Sequence, residues 1–154
     1  MQKLKNIFFA WLKGLSWPKI LIAVLSALCL GVAIIFAINP QKQFIKMRNN
    51  QRKADVVLIL NALYQYSVDN GGNLPPQITD KAQEICEKGT DCGELLNLSA
   101  IVQKKKNTAY LGSMPTDPRR KNQLGTGYEV KKIGDRVTVL APLAEQGAVI
   151  SATR

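Results

Sequence analysis

An apolar run of nineteen residues stands near the start of the chain, from Ile20 to Ile38, and contains no charged side chain. As an α-helix it would extend about 28 Å, close to the hydrocarbon thickness of a bilayer. A buried core helix normally carries a polar stripe, and a cleaved signal peptide has an apolar segment of about 7 to 15 residues followed by small residues. Because this run fits neither alternative well, it predicts one uncleaved transmembrane helix at residues 20–38.

Beyond the span, apolar side chains return every three or four residues, which is the period of an amphipathic helix. The pattern predicts a helix of about seven turns from Gln41 to Val68, cationic in its first part and with an apolar face for a core in its second part. Pro40 is expected to kink this helix or to mark a short break before it. The turn sequence at residues 69–72 should end it, because glycine accepts the left-handed conformation at a helix C-terminus.

In the last part of the chain the apolar period changes to two, which is typical of strands. Three strands are predicted, at residues 128–133, 136–141 and 148–153. Gly134-Asp135 predicts a tight hairpin between the first two, and a looser turn precedes the third. The predicted fold class is therefore α+β: a long N-terminal helix, membrane-spanning in its first part, packed on a C-terminal antiparallel meander of about three strands.

The region between the helix and the strands, residues 81–107, mixes short helical patterns. One short helix is expected over residues 95–102, where leucine, isoleucine and valine recur. Lys104-Lys105-Lys106 should end it, because a helix C-terminus favours cations.

Cys86 and Cys92 are the only cysteines outside the span, and five residues separate them. A disulfide between them would close a short loop and place the domain in an oxidising compartment. Two free surface thiols remain the alternative. The chain has no histidine, and two cysteines alone make a poor zinc site, so we expect neither a metal nor a cofactor.

Positive charge is abundant, with a net charge of +10. Four lysines and no acidic residue precede the span, which suits a cytoplasmic tail, namely Lys3, Lys5, Lys13 and Lys19. Five cations also follow the span, so charge alone does not orient the protein: Lys42, Lys46, Arg48, Arg52 and Lys53. A solvated surface or contact with anionic lipid headgroups explains most of this charge. Nucleic acid is not the expected partner, because little aromatic side chain is interleaved with the basic patches.

Catalysis finds little support in the sequence. Without histidine it would need paired carboxylates, a lysine base or a reactive cysteine. The carboxylates Asp69, Asp80, Asp91 and Asp117 are scattered along the chain and fit turn and cap positions. The two cysteines outside the span are better explained as a pair bonded to each other than as reactive thiols. We therefore expect a protein that is not an enzyme. An anchored extracytoplasmic module that binds an anionic surface or DNA is the alternative to a purely structural role.

Two motifs carry a resemblance to a known family. The helix is expected to end in the tyrosine-rich turn YQYSVDNGGNLP at residues 64–75, and YLGSMPTDP follows at residues 110–118. Together with the span and the continuing helix, this order resembles type IV pilins and the pseudopilins of type II secretion. The residues that match the pilin-like motif are Tyr64, Tyr66, Asp69, Asn70, Gly71, Pro75, Pro115, Asp117 and Pro118.

The resemblance implies a membrane-anchored structural protein that acts by lateral packing in a filament or a secretion or envelope assembly. It implies a cytoplasmic basic tail at residues 1–19, a span at 20–38 and an extracytoplasmic pilin-like domain at 39–154. The expected partners are the lipid bilayer and other pilin-like subunits or secretion and pilus assembly proteins. The chain departs from the family at the leader: Leu15 follows Gly14, and Lys19 stands where a glutamate is expected. The N-terminus is therefore expected to remain uncleaved.

Overall fold

The structure is a computed structural model that describes residues 16–88, 91–102 and 110–154. The chain divides into two compact units, Met1–Gln43 and Phe44–Arg154. Most of the basic tail and the expected helix end at Lys104-Lys105-Lys106 lie outside the described residues. The sheet, the core and the interactions discussed below belong to the second unit.

Helix α1, Trp17–Ile38, coincides with the predicted span and carries Pro18 in its first turn, where a missing backbone N–H costs nothing. In the part of the chain that the structure describes, it supplies the one apolar window long enough to cross a membrane, and none of that window is buried. An N-terminal signal sequence would meet the same criteria of length and composition. The structure is thus consistent with single-pass anchoring in either orientation.

Helix α2, Pro40–Asp69, matches the predicted helix to within one residue at each end. The predicted break is confirmed at Asn39, whose φ of 42° interrupts the helical backbone. At the other end Gly71 and Gly72 have φ of 66° and 87°, and the Gly72 N–H donates to Ser67 O at 2.7 Å. The glycine stop that the sequence predicts is therefore present.

One antiparallel sheet of four strands follows, in the order β1, Gln83–Cys86; β2, Gly125–Ile133; β3, Arg136–Leu140; and β4, Ser151–Thr153. The last three correspond to the predicted strands, and the hairpin at Gly134 is confirmed by the pairing of Ile133 with Arg136. The prediction of about three strands was wrong by one. Strand β1 was missed because its four residues gain strand character from pairing with β2.

The short helix predicted over residues 95–102 is only α3, Ser99–Val102. Leu96 instead bridges to Ile85 beside the sheet, where the Cys86 N–H donates to Leu96 O at 2.9 Å. The leucine pattern was thus correct about burial and wrong about helix length.

The core lies between α2 and one face of the sheet, and its largest members are fully buried. From α2 it takes Val56, Ile59 and Leu63, and from the sheet it takes Ile85, Tyr128, Val130 and Val139. Position 52 of α2 belongs to the same face, since it precedes Val56 and Ile59 by four and seven residues. Arg52 there is a fully buried arginine.

Candidate functional site

Arg52 projects from α2 into the core boundary, and its side chain has no solvent exposure. Its Nε and Nη2 donate to the two carboxylate oxygens of Asp117 at 2.6 and 3.0 Å, in the two-pronged geometry that suits guanidinium and carboxylate. Nη1 donates to Asn49 Oδ1 at 2.8 Å and to Glu145 Oε2 at 2.9 Å. The guanidinium is thus hydrogen-bonded on each of its three nitrogens, as a buried charge requires.

Glu145 lies in the loop between β3 and β4, and its carboxylate also pairs with a second arginine of α2. Arg48 Nε and Nη2 donate to its two carboxylate oxygens, both at 2.6 Å, and Arg119 Nη1 adds a contact at 2.9 Å. Asn49 fixes the loop backbone, since its amide donates to Glu145 O at 3.0 Å and its Oδ1 accepts from Glu145 N at 3.1 Å. The loop is therefore held to one turn of α2 by side chain and backbone together.

We call this set of six residues the arginine cluster: Arg48, Asn49, Arg52, Asp117, Arg119 and Glu145. The hydrogen bond from Arg48, followed by that from Arg52, holds the pKa of the Glu145 carboxyl well below its ordinary value. The hydrogen bond to Asp117 raises the pKa of Arg52. Neither group changes charge near neutral pH, so what the cluster can do is fix three chain segments to each other.

Tyr128 on β2 makes a neighbouring polar contact with α2. Its hydroxyl donates to Asp55 Oδ2 at 2.6 Å, while the rest of the side chain is in the core. Burial, and then the hydrogen bond to Asp55, raises the pKa of the Tyr128 hydroxyl. The hydroxyl therefore remains a donor across the whole physiological range and adds a second polar connection between helix and sheet.

The tyrosine-rich end of α2 forms a separate group. Tyr110 Oη donates to Asp69 Oδ2 at 2.9 Å, and its ring meets that of Tyr66 edge to face at 5.8 Å between centroids. The Asn70 amide donates to Tyr66 O at 2.7 Å, and the Arg154 guanidinium lies 3.8 Å from the centre of the Tyr64 ring. These contacts fasten the last turn of α2 to the 110 segment and to the C-terminus.

The predicted motif residues thus fall in two places. Tyr64, Tyr66, Asp69, Asn70, Gly71 and Pro75 are at or just after the end of α2. Asp117 is bonded to Arg52 in the middle of α2, and Pro115 and Pro118 are its near neighbours in the sequence. Along a helix, the twelve residues from Arg52 to Tyr64 span about 18 Å. The structure therefore gives two attachment points for one helix and does not unite the motif in a single pocket.

Comparisons with family models, with characterised proteins and with solved structures give no match for this chain.

Cys86 and Cys92 are joined by a disulfide, with their Cα atoms 5.4 Å apart. The bond closes the loop that follows β1, so the predicted pairing is confirmed. Among the described residues, no group of three or more histidine, cysteine, aspartate or glutamate side chains is arranged to hold a metal ion.

Two sequence interpretations need correction. Asp117 does occupy a turn, since its Oδ1 accepts from Arg119 N at 2.7 Å, but it is also the buried partner of Arg52. The basic stretch of α2 is not simply solvated, because Arg52 is buried and Arg48 is paired with Glu145. Sequence reasoning missed Asn49 and Glu145 altogether, and the available signal was an arginine in core register on α2.

Acid should weaken the domain through Glu145. The folded state keeps this carboxyl charged where the unfolded chain takes up a proton, so stability falls as pH drops below the ordinary value of 4.5. We expect Glu145→Gln to be less stable than the wild type at pH 7 and to lose less stability between pH 5 and about pH 3. Urea unfolding of the full chain in detergent, followed by near-ultraviolet circular dichroism, measures both. Glu94→Gln, at an exposed position, is the control, and parallel pH curves for Glu145→Gln and wild type would contradict the assignment.

Proposed function

We propose that this protein is a single-pass membrane protein with a pilin-like extracytoplasmic domain, and that it works as a structural subunit by lateral packing and not by catalysis. Its tail lies in the cytoplasm and residues 39–154 lie outside. The partners are the bilayer and other pilin-like subunits or components of a secretion or pilus assembly.

The observation that carries the proposal is the attachment of Asp117, in the Pro-Thr-Asp-Pro element, to the long helix and the sheet at once. Its carboxylate holds Arg52 of α2, and its backbone N–H donates to Thr126 O of β2 at 2.7 Å. The tyrosine-rich motif fastens the same helix at its end through Tyr110 and Asp69. Both motifs that resemble pilins therefore fix one long helix to the domain, and this supports a subunit that packs laterally through that helix.

The disulfide supports the orientation. A structural disulfide forms and persists outside the cytoplasm, so the Cys86–Cys92 bond favours an extracytoplasmic domain. The basic tail then stays on the cytoplasmic side, in agreement with the usual distribution of lysines around a span.

Membrane fractionation and protease accessibility test the proposal. We expect the full chain to stay in the membrane pellet after an alkaline carbonate wash, and protease added to intact spheroplasts to digest the domain. A variant without residues 20–38 should leave the membrane pellet, because the remaining chain has no apolar run long enough to span.

Full protection from protease in sealed spheroplasts would overturn the orientation, and release by carbonate would overturn the anchor. A chain that stays anchored and monomeric but binds anionic vesicles or DNA would instead favour an anchored binding module.

A further inference from the structure

The side of α2 that points away from the core carries an exposed row of residues with a regular spacing. The steps along it alternate between three and four residues, which is the seven-residue repeat of helices that pack along their length. We call this row the outer heptad face, and it consists of Phe44, Met47, Gln51, Ala54, Leu58, Asn61, Gln65 and Val68.

Large apolar side chains on this face are strongly exposed. Met47, Val68, Phe44 and Leu58 have 65, 60, 58 and 48% of their surface in solvent, although α2 already buries its opposite face in the core. Single exposed apolar residues are ordinary on protein surfaces, whereas an aligned set on one helix face marks an interaction surface. The outer heptad face is therefore suited to a second helix.

No residue of the outer heptad face is charged. Its polar members are amides, Gln51, Asn61 and Gln65, which can both donate and accept hydrogen bonds. Asn61 Oδ1 already accepts from Arg154 at 3.4 Å, and its amide N–H groups are separate donors. Lys46 and Lys53 each precede a face residue by one position, which is about 100° around the helix axis, so neither lysine is on the outer heptad face.

This pattern fits an identical copy better than an anionic lipid surface. In a symmetric parallel pair each residue near the axis meets itself, so a charge there would face a like charge, whereas apolar and amide side chains are compatible with their own copies. An anionic bilayer would select lysine and arginine on the contacting face, and this face has neither. We propose that two copies of this chain pair in parallel through the outer heptad face of α2.

The proposal rests on the membrane anchoring proposed above. Two chains inserted in one membrane with the same orientation present α2 in the same direction, and confinement to the membrane raises their effective concentration. A parallel contact is then favoured over an antiparallel one.

Cysteine crosslinking in native membranes tests the pairing. In a Cys29→Ser background, Ala54→Cys and Gln65→Cys place thiols on the outer heptad face, and Lys46→Cys and Lys53→Cys are controls on the same helix beside it. After mild oxidation, non-reducing gels should show a disulfide-linked dimer for the two face positions and little for the two controls. All four positions are exposed, so the substitutions leave the core intact.

A charge variant sharpens the test. Leu58→Glu sets two carboxylates against each other in the pair, and Lys53→Glu makes a larger change of charge beside the face. Because like charges at an interface cost several kcal/mol, Leu58→Glu should reduce crosslinking at position 54 by at least about tenfold, and Lys53→Glu should not.

Equal crosslinking at all four positions, or no dimer although the chain stays in the membrane fraction, would overturn the pairing and leave the anchored structural role intact. Crosslinks from the face positions to a protein of different mass would also overturn it, because the occupant would not be a second copy. Recovery of the full chain in the soluble fraction would overturn the proposed function itself.

Discussion

Asp117→Asn should destabilise the domain by about 3 kcal/mol or more, because it leaves the fully buried Arg52 without its main counter-charge. Asparagine keeps the shape of the side chain and an oxygen that can accept from Arg119 N and Arg52 Nη2. Its amide NH2 replaces the oxygen that accepts from Arg52 Nε, so the substitution removes the charge and also sets a donor against a donor. Glu145 still accepts a hydrogen bond from Arg52 at 2.9 Å, but its carboxylate is already paired with Arg48. Thermal or urea unfolding of the full chain in detergent gives the loss directly.

Arg52→Met supplies the matching half of a double-mutant cycle. A methionine at position 52 fills apolar space without a charge, so the double variant with Asp117→Asn should be more stable than the sum of the two single losses predicts. Strict additivity of the two losses would show that the ion pair is not coupled. A loss below about 0.5 kcal/mol for Asp117→Asn would place it among ordinary surface substitutions and contradict the burial of the pair.

Gly127→Ala should cost about 2 to 5 kcal/mol, since two separate penalties meet at this residue. Gly127 has a φ of 78°, where any side chain is strained, and an added Cβ would lie 2.8 Å from Asp117 Cβ and 3.2 Å from Leu143 Cδ1. Strain accounts for about 1 to 2 kcal/mol and overpacking for about 1 to 3. The change in the urea midpoint of the full chain, with an unchanged slope, measures the sum.

Gly134→Ala is the matched control for the strain alone. Gly134 also has a left-handed backbone, with φ of 60°, but nothing lies within 4 Å of an added Cβ. It should therefore lose only about 1 to 2 kcal/mol. Equal losses of stability for the two variants would mean that Asp117 can move away from the added Cβ with no further loss of stability, and so is not rigidly held.

The sequence alone was sufficient to predict the elements whose signals come from residues adjacent in the chain. The apolar run of α1, the glycine stop after α2 and the Gly134 hairpin each depend on residues adjacent in the chain, and the structure has all three. Strand β1 has no such signal, because its four residues become a strand through pairing with residues 39 to 47 positions later. Glu84 pairs with Glu129 in that register, an arrangement that no local pattern indicates.

Only part of the arginine cluster could be predicted from the sequence. Arg52 falls in the same register as Val56 and Ile59, so the periodicity that predicts the core face also places an arginine on that face. A buried arginine demands carboxylates, but the sequence offers eleven acidic residues and no local reason to choose Asp117 or Glu145. Which carboxylates pair with Arg52 depends on how the loops between the strands return to α2. The sheet sets the course of those loops.

The long sequence separation within the arginine cluster bears on how the protein is made. Arg52 is translated 65 residues before Asp117 and 93 before Glu145. Until those carboxylates have been made and are free to reach α2, the guanidinium must keep its water, and α2 cannot bury the face that carries it. The domain therefore acquires its core only when nearly the whole chain has been made. Under the proposed extracytoplasmic placement of the domain, α2 would leave the translocation machinery with both of its apolar faces exposed and in need of protection from premature contacts.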